Sequence, residues 1–285
     1  MSGFPKAKRP ASAKILDAWI RDRARAEGQV AERIRLGIGY MVVSAVLARM
    51  RAEDDTPLFV LKGGVAMQLR FQHRASSSAD IDMIFRRDLA LLEPTLAEAP
   101  SYPIGDLTVR AVGKPHVLGP TSAVRQQLQV LYGRMPWSRI YLEVSPPEGG
   151  SAEMERLEIL PPSPDLTVFG LDSIEPVPCM SVAYQIAQKL HACTEVKPDE
   201  ENHRFADLLD LQLLEELVDD WPVVRAACEE VFGLRQKHAW PPGITVFPSW
   251  PEAYAASAVA NQFPVSDVDE AAAKVTAMIA RIGVA

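Results

Sequence analysis

Cysteine is scarce in this chain. Three residues in 285, Cys179, Cys193 and Cys228, are odd in number, widely spaced and never in a C-x-x-C arrangement, so they suggest neither a disulfide framework nor a zinc cluster. His191, Cys193 and His203 are close in sequence but match no zinc spacing, and they read as ordinary core or surface residues. Long apolar runs are missing too: none approaches the roughly 20 residues that a membrane-spanning helix requires. The first residues, MSGFPKAKRPASAKILDAW, are basic but carry no apolar segment of signal-peptide length. A cytoplasmic location with no membrane partner is therefore expected. No internal repeat and no low-complexity tract interrupts the chain.

What remains is an ordinary globular composition, 48% apolar and 24% charged, long enough for one large domain or two smaller ones. The net charge of −7 is unevenly distributed. Residues 1–100 hold 16 Lys and Arg against 12 Asp and Glu, and the remainder holds 14 against 25. An acidic total argues against indiscriminate coating of nucleic acid but permits a local basic groove.

The most informative stretch is PLFVLKGGVAMQLRFQHRASSSADIDMIF, residues 57–85. Leu58 to Leu61 is a short apolar run ending at Lys62-Gly63-Gly64, which reads as a buried strand stopping at a tight turn. Helix formers follow from Val65 to Phe71. That places the glycine pair at a helix N-terminus, where unpaired backbone N–H groups and the helix dipole favour an anion. After a polar hinge of Ser76, Ser77 and Ser78, residues 80–85 form a second strand candidate. Alternation puts Asp80 and Asp82 on one face and Ile81, Met83 and Phe85 on the other. Two adjacent carboxylates repel each other and resist desolvation; a divalent cation relieves both, and oxygen-only ligands suit Mg²⁺. A lone Asp-x-Asp also reads as a solvated strand end. The glycine turn ahead of it favours a nucleotidyl-transfer site.

Around this stretch, residues 1–10 are expected to be unstructured, with helices over 12–27 and 29–51 before it and over 88–97 after it. Strand candidates follow at 107–112, 125–132 and 139–144. In the last, Glu143 is either a third metal ligand or an exposed edge residue. Prolines 146, 147, 161, 162 and 164 mark a connection, and the domain boundary is placed near residue 170: a nucleotidyltransferase core with N-terminal helices over 1–170, then a mainly helical domain over 171–285. The later helices are expected over 181–193, 204–218, 222–232 and 268–282, with a proline- and tryptophan-rich stretch over 238–250. Lys189 lies in an otherwise apolar helix, and Asp207 and Asp210 share a face of the next at i, i+3. Either these are solvated faces with a snorkelling lysine, or Lys189 meets a triphosphate and an aspartate fixes its position.

The order LKGG, S-x-D-x-D, an I-x-L-E strand, IAQKLHA and ADLLDL resembles the AbiEii/MenT group of nucleotidyltransferase toxins, within the polymerase-β-like superfamily, and looks most like the mycobacterial MenT toxins. The resemblance extends over nearly the whole chain. It implies an α/β fold, with a mixed-sheet nucleotidyltransferase domain followed by a helical one. It implies that Gly63 and Gly64, with Lys62 and Ser78 beside them, hold nucleotide phosphates, and that Asp80 and Asp82 hold Mg²⁺. Lys189 and Asp210 match polar residues that such toxins need, with Asp207 beside them, and Arg235 falls where the family carries a phosphate-facing arginine. The sequence departs from the family's common Arg-Asp helix start in having Ala206 before Asp207. The implied activity is Mg²⁺-dependent transfer of NMP from an NTP to the 3′ end of tRNA, blocking translation, with a cognate antitoxin as partner. A kinase-like antitoxin acting at the serine hinge, Ser78 above all, is one form that neutralisation takes in this reading. Transfer to a protein or small-molecule hydroxyl, or a non-catalytic nucleotide-binding regulator, are the alternatives.

Overall fold

The computed structural model describes residues 8–75, 78–119 and 123–285; Ser76 and Ser77 of the hinge lie outside them. The chain divides into two compact units, one built from Met1–Leu69, Ser77–Pro147 and Glu158–Cys179, the other from Arg70–Ser76, Glu148–Leu157 and Met180–Ala285. The architecture is mixed α/β, with a helical C-terminal region.

The first unit opens with α1 (Ala13–Glu27), capped by the Ser12 hydroxyl and closed by Gly28 in the left-handed region, with Leu16, Ile20 and Ala24 buried at helical spacing. Residues 8–10, expected to be unstructured, are tied down: Arg9 pairs with Asp172 at 2.6 Å, and the Tyr132 hydroxyl donates to the Pro10 carbonyl. Helix α2 (Ala31–Ala48) is apolar on nearly every side and contributes an unbroken buried run from Ile38 to Leu47, the signature of a helix enclosed by other elements. Its Gly39 lies against Ile140 of the sheet.

Seven strands make one mixed sheet: β1 (Phe59–Lys62), β2 (Ile81–Phe85), β3 (Leu107–Leu118), β4 (Ala123–Tyr132), β5 (Met135–Ser145), β6 (Glu158–Leu160) and β7 (Val177–Cys179), ordered β3-β4-β5-β2-β1-β7-β6. β1 and β2 are antiparallel, whereas β2 and β5 are parallel. Helix α3 (Gly63–Phe71) follows β1 with no intervening loop, and α4 (Leu92–Ala97) follows β2 after a short 3₁₀ turn capped by Asp88. The helix expected over 88–97 is thus shorter. The strands of the hairpin are longer than their alternation indicates, β3 by six residues, because a bulge between Val112 and His116 continues pairing past a stretch without periodicity. The proline-rich connection contains β6 and β7, which three-residue pairing along the sheet edge creates without any local pattern.

The second unit contains α5 (Val182–Thr194), α6 (Ala206–Glu215), α7 (Trp221–Arg235), α8 (Trp250–Ala260) and α9 (Val268–Val284). Asp220 and Asp267 cap α7 and α9 by accepting from Val223 and Glu270 backbone N–H groups. Helix α8 was hidden behind the proline-rich stretch. Trp250 and Tyr254 are fully buried and seat it, and the Trp250 indole N–H donates to the Asn202 carbonyl. Segment 70–75 joins this unit through Arg70, which donates to Gln185 and the Met180 carbonyl, and through the two-pronged pair of Arg74 with Glu216. Among the described residues no helix is long and apolar enough to cross a membrane.

Candidate active site

β1 ends where an apolar run gives way to Lys62-Gly63-Gly64. Gly63 has φ of +65°, and a Cβ there would lie 2.2 Å from Asp82 Oδ2. A Cβ on Gly64 would lie 2.8 Å from Ser78 Cβ and Oγ. Only glycine supplies both the left-handed turn and the close approach. The glycines form the first residues of α3 rather than a separate loop.

Sheet register then lays charged residues in a line on one face. Lys62 on β1 stands opposite Asp82 on β2, Asp82 opposite Glu143 on β5, and Glu143 opposite Arg125 on β4. Residues in register on neighbouring strands share a face, so four strands present Lys–Asp–Glu–Arg side by side. Strand β2 begins at Ile81, one residue later than its alternation implies, and Asp80 occupies the bend before it. Its Oδ2 receives Arg125 Nη2 at 2.6 Å, while Arg125 Nε lies 3.7 Å from Glu143. Asp80 Oδ1 is buried without a hydrogen-bond partner.

Burial, followed by the charges of Asp82 and Asp80, holds the Glu143 carboxyl above the usual range against the opposing effect of Arg125 and Lys62. Lys62 Nζ donates to Ser145 Oγ at 2.7 Å. Ser78 Oγ donates to the Asp80 main-chain carbonyl at 2.7 Å, and the Tyr40 hydroxyl donates to the Ser78 carbonyl at 2.8 Å. Burial and the nearby Asp80 push the Tyr40 phenol up to about 12. Lys62, Gly63, Gly64, Ser78, Asp80, Asp82 and Glu143 therefore lie together in the first unit. Among the described residues no three His, Cys, Asp or Glu side chains form a ready-made metal-holding group; Asp80 turns instead to Arg125.

Arg125 and Tyr40 were not anticipated from the sequence. Arg125 reaches the carboxylates only through strand register, and Tyr40 lies on a helix whose apolar pattern concealed its hydroxyl. The alternating polar side chains Arg125, Gln127 and Gln129 were the one available signal for the former.

The second unit holds its own polar cluster. Lys189 on α5 is buried and donates to Asp207 at 2.7 Å and Asp210 at 2.6 Å, both on α6. Arg204 also donates to Asp207, at 2.7 Å, so a cation two residues ahead of Ala206 serves the carboxylate. Burial alone would push Lys189 down, but Asp207 and Asp210 outweigh it and hold the ammonium above the ordinary lysine range. Burial likewise opposes ionised Asp207, yet Lys189 and Arg204 hold its carboxyl low. Asp210 is held high by burial and by Asp207, and its Oδ1 has no hydrogen-bond partner. These residues are not solvated faces: they form a buried, charge-balanced cluster.

Arg235 on α7 grips Glu148 with two parallel bonds, 2.7 and 2.8 Å. Beside it, His191 and His238 pack with ring centroids 4.6 Å apart, and Phe232 and Trp240 extend the group. Cys193 is buried and His203 exposed.

Among curated proteins, none matches the chain. The solved structure of MenT4, a nucleotidyltransferase toxin from Mycobacterium tuberculosis, superposes with a TM-score of 0.53 at 15% identity, covering 96% of this chain and 98% of that one, and shows the same fold. JHP933 from Helicobacter pylori gives 0.43 at 15% identity over 86% and 88%. An antigenic nucleotidyltransferase-like protein from Paracoccidioides brasiliensis gives 0.41 at 15% over 69% and 88%. Residues 45–280 match the family described as nucleotidyl transferase AbiEii toxin, type IV toxin–antitoxin system. With more than four-fifths of its length inside that match, the chain belongs to the AbiEii family of nucleotidyltransferase toxins.

Proposed function

We propose that this nucleotidyltransferase transfers NMP from an NTP to the 3′ end of a tRNA, with Mg²⁺ as cofactor, and that a cognate antitoxin neutralises it. The single observation that supports this most is the row of Asp82 and Glu143, with Asp80 beside it, next to a glycine turn too tight for any side chain. The residues fit a divalent cation. Asp80 has a buried oxygen without a partner, and Glu143 is held up first by burial and then by the charges of Asp82 and Asp80; hard oxygen ligands meet both demands with Mg²⁺. Asp80, Asp82 and Glu143 would hold it, and bound there it would stabilise charge on the transferring phosphoryl group and the departing pyrophosphate.

The chain's own groups would do the remaining work. Backbone N–H groups at Gly63 and Gly64 would cradle the phosphates, with the Lys62 ammonium neutralising them. Of the three N–H bonds of Lys189, two go to Asp207 and Asp210, which leaves one donor for a phosphate oxygen. Asp207 and Asp210 would hold the lysine charged and aimed. Arg235 would meet a phosphate only by exchanging it for Glu148. Phosphorylation of Ser78 by a kinase-like antitoxin would place about two negative charges beside Asp80 and break the hydroxyl's bond to the Asp80 carbonyl, repelling the triphosphate.

Incubation with each α-labelled NTP and total tRNA tests the reading. Mg²⁺-dependent label at the 3′ end of tRNA is expected; label on protein or on a small molecule instead would overturn the acceptor assignment.

A further inference from the structure

Beyond the carboxylate row, the hairpin part of the sheet has one covered face and one open face. Leu128, Val130, Ile140, Leu142 and Val144 are buried in the core. The opposite face is built in rows that register fixes. The first continues the charged line outward from Glu143 through Arg125 to His116; the second holds Val112, Gln127 and Tyr141; the third holds Arg110, Gln129 and Arg139. Arg110 and Arg139 are exposed, and Tyr141 is 37% exposed. Among the described residues neither Arg110 nor Arg139 has an ion-pair partner. The three strands β3, β4 and β5 contain Arg110, Lys114, Arg125 and Arg139 but only one acid, Glu143, in a chain whose net charge is −7. The Arg125 guanidinium sits over the Tyr141 ring, 4.8 Å from its centroid.

We propose that this open face receives the single-stranded 3′ end of the acceptor RNA. The inference rests on the RNA-acceptor reading above and specifies its surface. Arg110 and Arg139 contact phosphates, and the exposed side of Tyr141 stacks on a base; basic side chains interleaved with an aromatic on a sheet are the chemistry of single-strand binding. The four steps from Arg139 to Glu143 span about 13 Å of strand, a length covered by about four stacked nucleotides. A strand lying there leads directly to the carboxylate row. Charge selects this occupant: an apolar peptide finds two unpaired arginines, whereas a polyanion finds no acid until Glu143.

Fluorescence anisotropy of the full chain with a labelled single-stranded RNA of roughly twelve nucleotides, across a salt series, tests it. The Arg110→Ala/Arg139→Ala double variant is expected to bind at least about tenfold more weakly, with the salt slope reduced by about 1.4, since each lost phosphate contact on a single strand removes about 0.7. The double lysine variant keeps the slope. Tyr141→Ala also loses about tenfold or more, with the slope unchanged, and Tyr141→Phe restores it. Unchanged affinity for a labelled NTP checks that the variants are folded. Wild-type RNA affinity in the double alanine variant, or loss of antitoxin binding with RNA binding intact, overturns the proposal; the latter assigns the face to a protein. If the wild type labels RNA and the variants bind it equally, only this surface is wrong. If the wild type neither binds nor labels RNA, the acceptor reading falls with it.

Discussion

Gly63 lies so close to Asp82 that a Cβ would come within 2.2 Å of the carboxylate oxygen Oδ2. The glycine turn and the acidic strand are therefore one device, since the turn fixes where the carboxylate stands. Gly63→Ala meets both a left-handed backbone, a penalty of about 1–2 kcal/mol, and this clash. Transfer is expected to fall at least a hundredfold, with roughly 1–3 kcal/mol lost in urea denaturation. Near-normal transfer by the variant would separate turn from carboxylate.

Asp80→Ala and Asp82→Ala are each expected to abolish transfer while circular dichroism stays native, because each relieves crowding among carboxylates and Arg125, without Asp80, still lies 3.7 Å from Glu143. Full activity in either variant would exclude the two-carboxylate mechanism.

Glu143 gives a readout independent of activity. Mg²⁺ should raise the melting temperature of the wild type, by an amount equivalent to about 2.7 kcal/mol at one hundred times its Kd. In Glu143→Gln the rise should be smaller at the same concentration. Equal shifts would remove Glu143 from the ligand set.

Lys189→Met leaves Asp210 buried without its cation and Asp207 with Arg204 alone, and should lose about 3–5 kcal/mol. Lys189→Met/Asp207→Asn/Asp210→Asn removes the whole imbalance and should recover most of that, in strongly non-additive fashion. Chemical denaturation decides this; equal losses in single and triple variants would mean that packing, not charge, holds α5 to α6.

His191 carries a pH dependence. Burial, then Arg235 and His238, push its imidazole down from 6.5 to about 4, with Glu148 opposing and Lys237 adding slightly. The unfolded chain thus binds more protons between those values, so stability is full above about 6.5 and declines as pH falls towards 4, by an amount on the order of 2–3 kcal/mol. Urea midpoints for wild type and His191→Gln should converge on acidification. A constant difference between them across that window would rule the histidine out.

Much of this was legible in local sequence. The Lys62-Gly63-Gly64 turn, the Asp80/Asp82 spacing, and the i, i+3 relation of Asp207 and Asp210 are short-range patterns set by backbone geometry, and helix and strand periodicity gave most elements to within a few residues. The mixed α/β class came from the family resemblance that these motifs carry, and the sheet and helices bear it out. β6, β7 and α8 escaped because edge pairing and two buried aromatics, rather than periodicity, create them.

Tertiary structure alone decided the rest. No spacing rule brings Arg125 to Asp80, 45 residues away, or lines up Lys62, Asp82, Glu143 and Arg125 across four strands; that is register, which long-range pairing sets. Nor does sequence tell a snorkelling lysine from an enclosed one. Lys189 is buried because α6 presents two carboxylates to it, and the energy of a charge depends on what surrounds it in space, not on what precedes it in the chain.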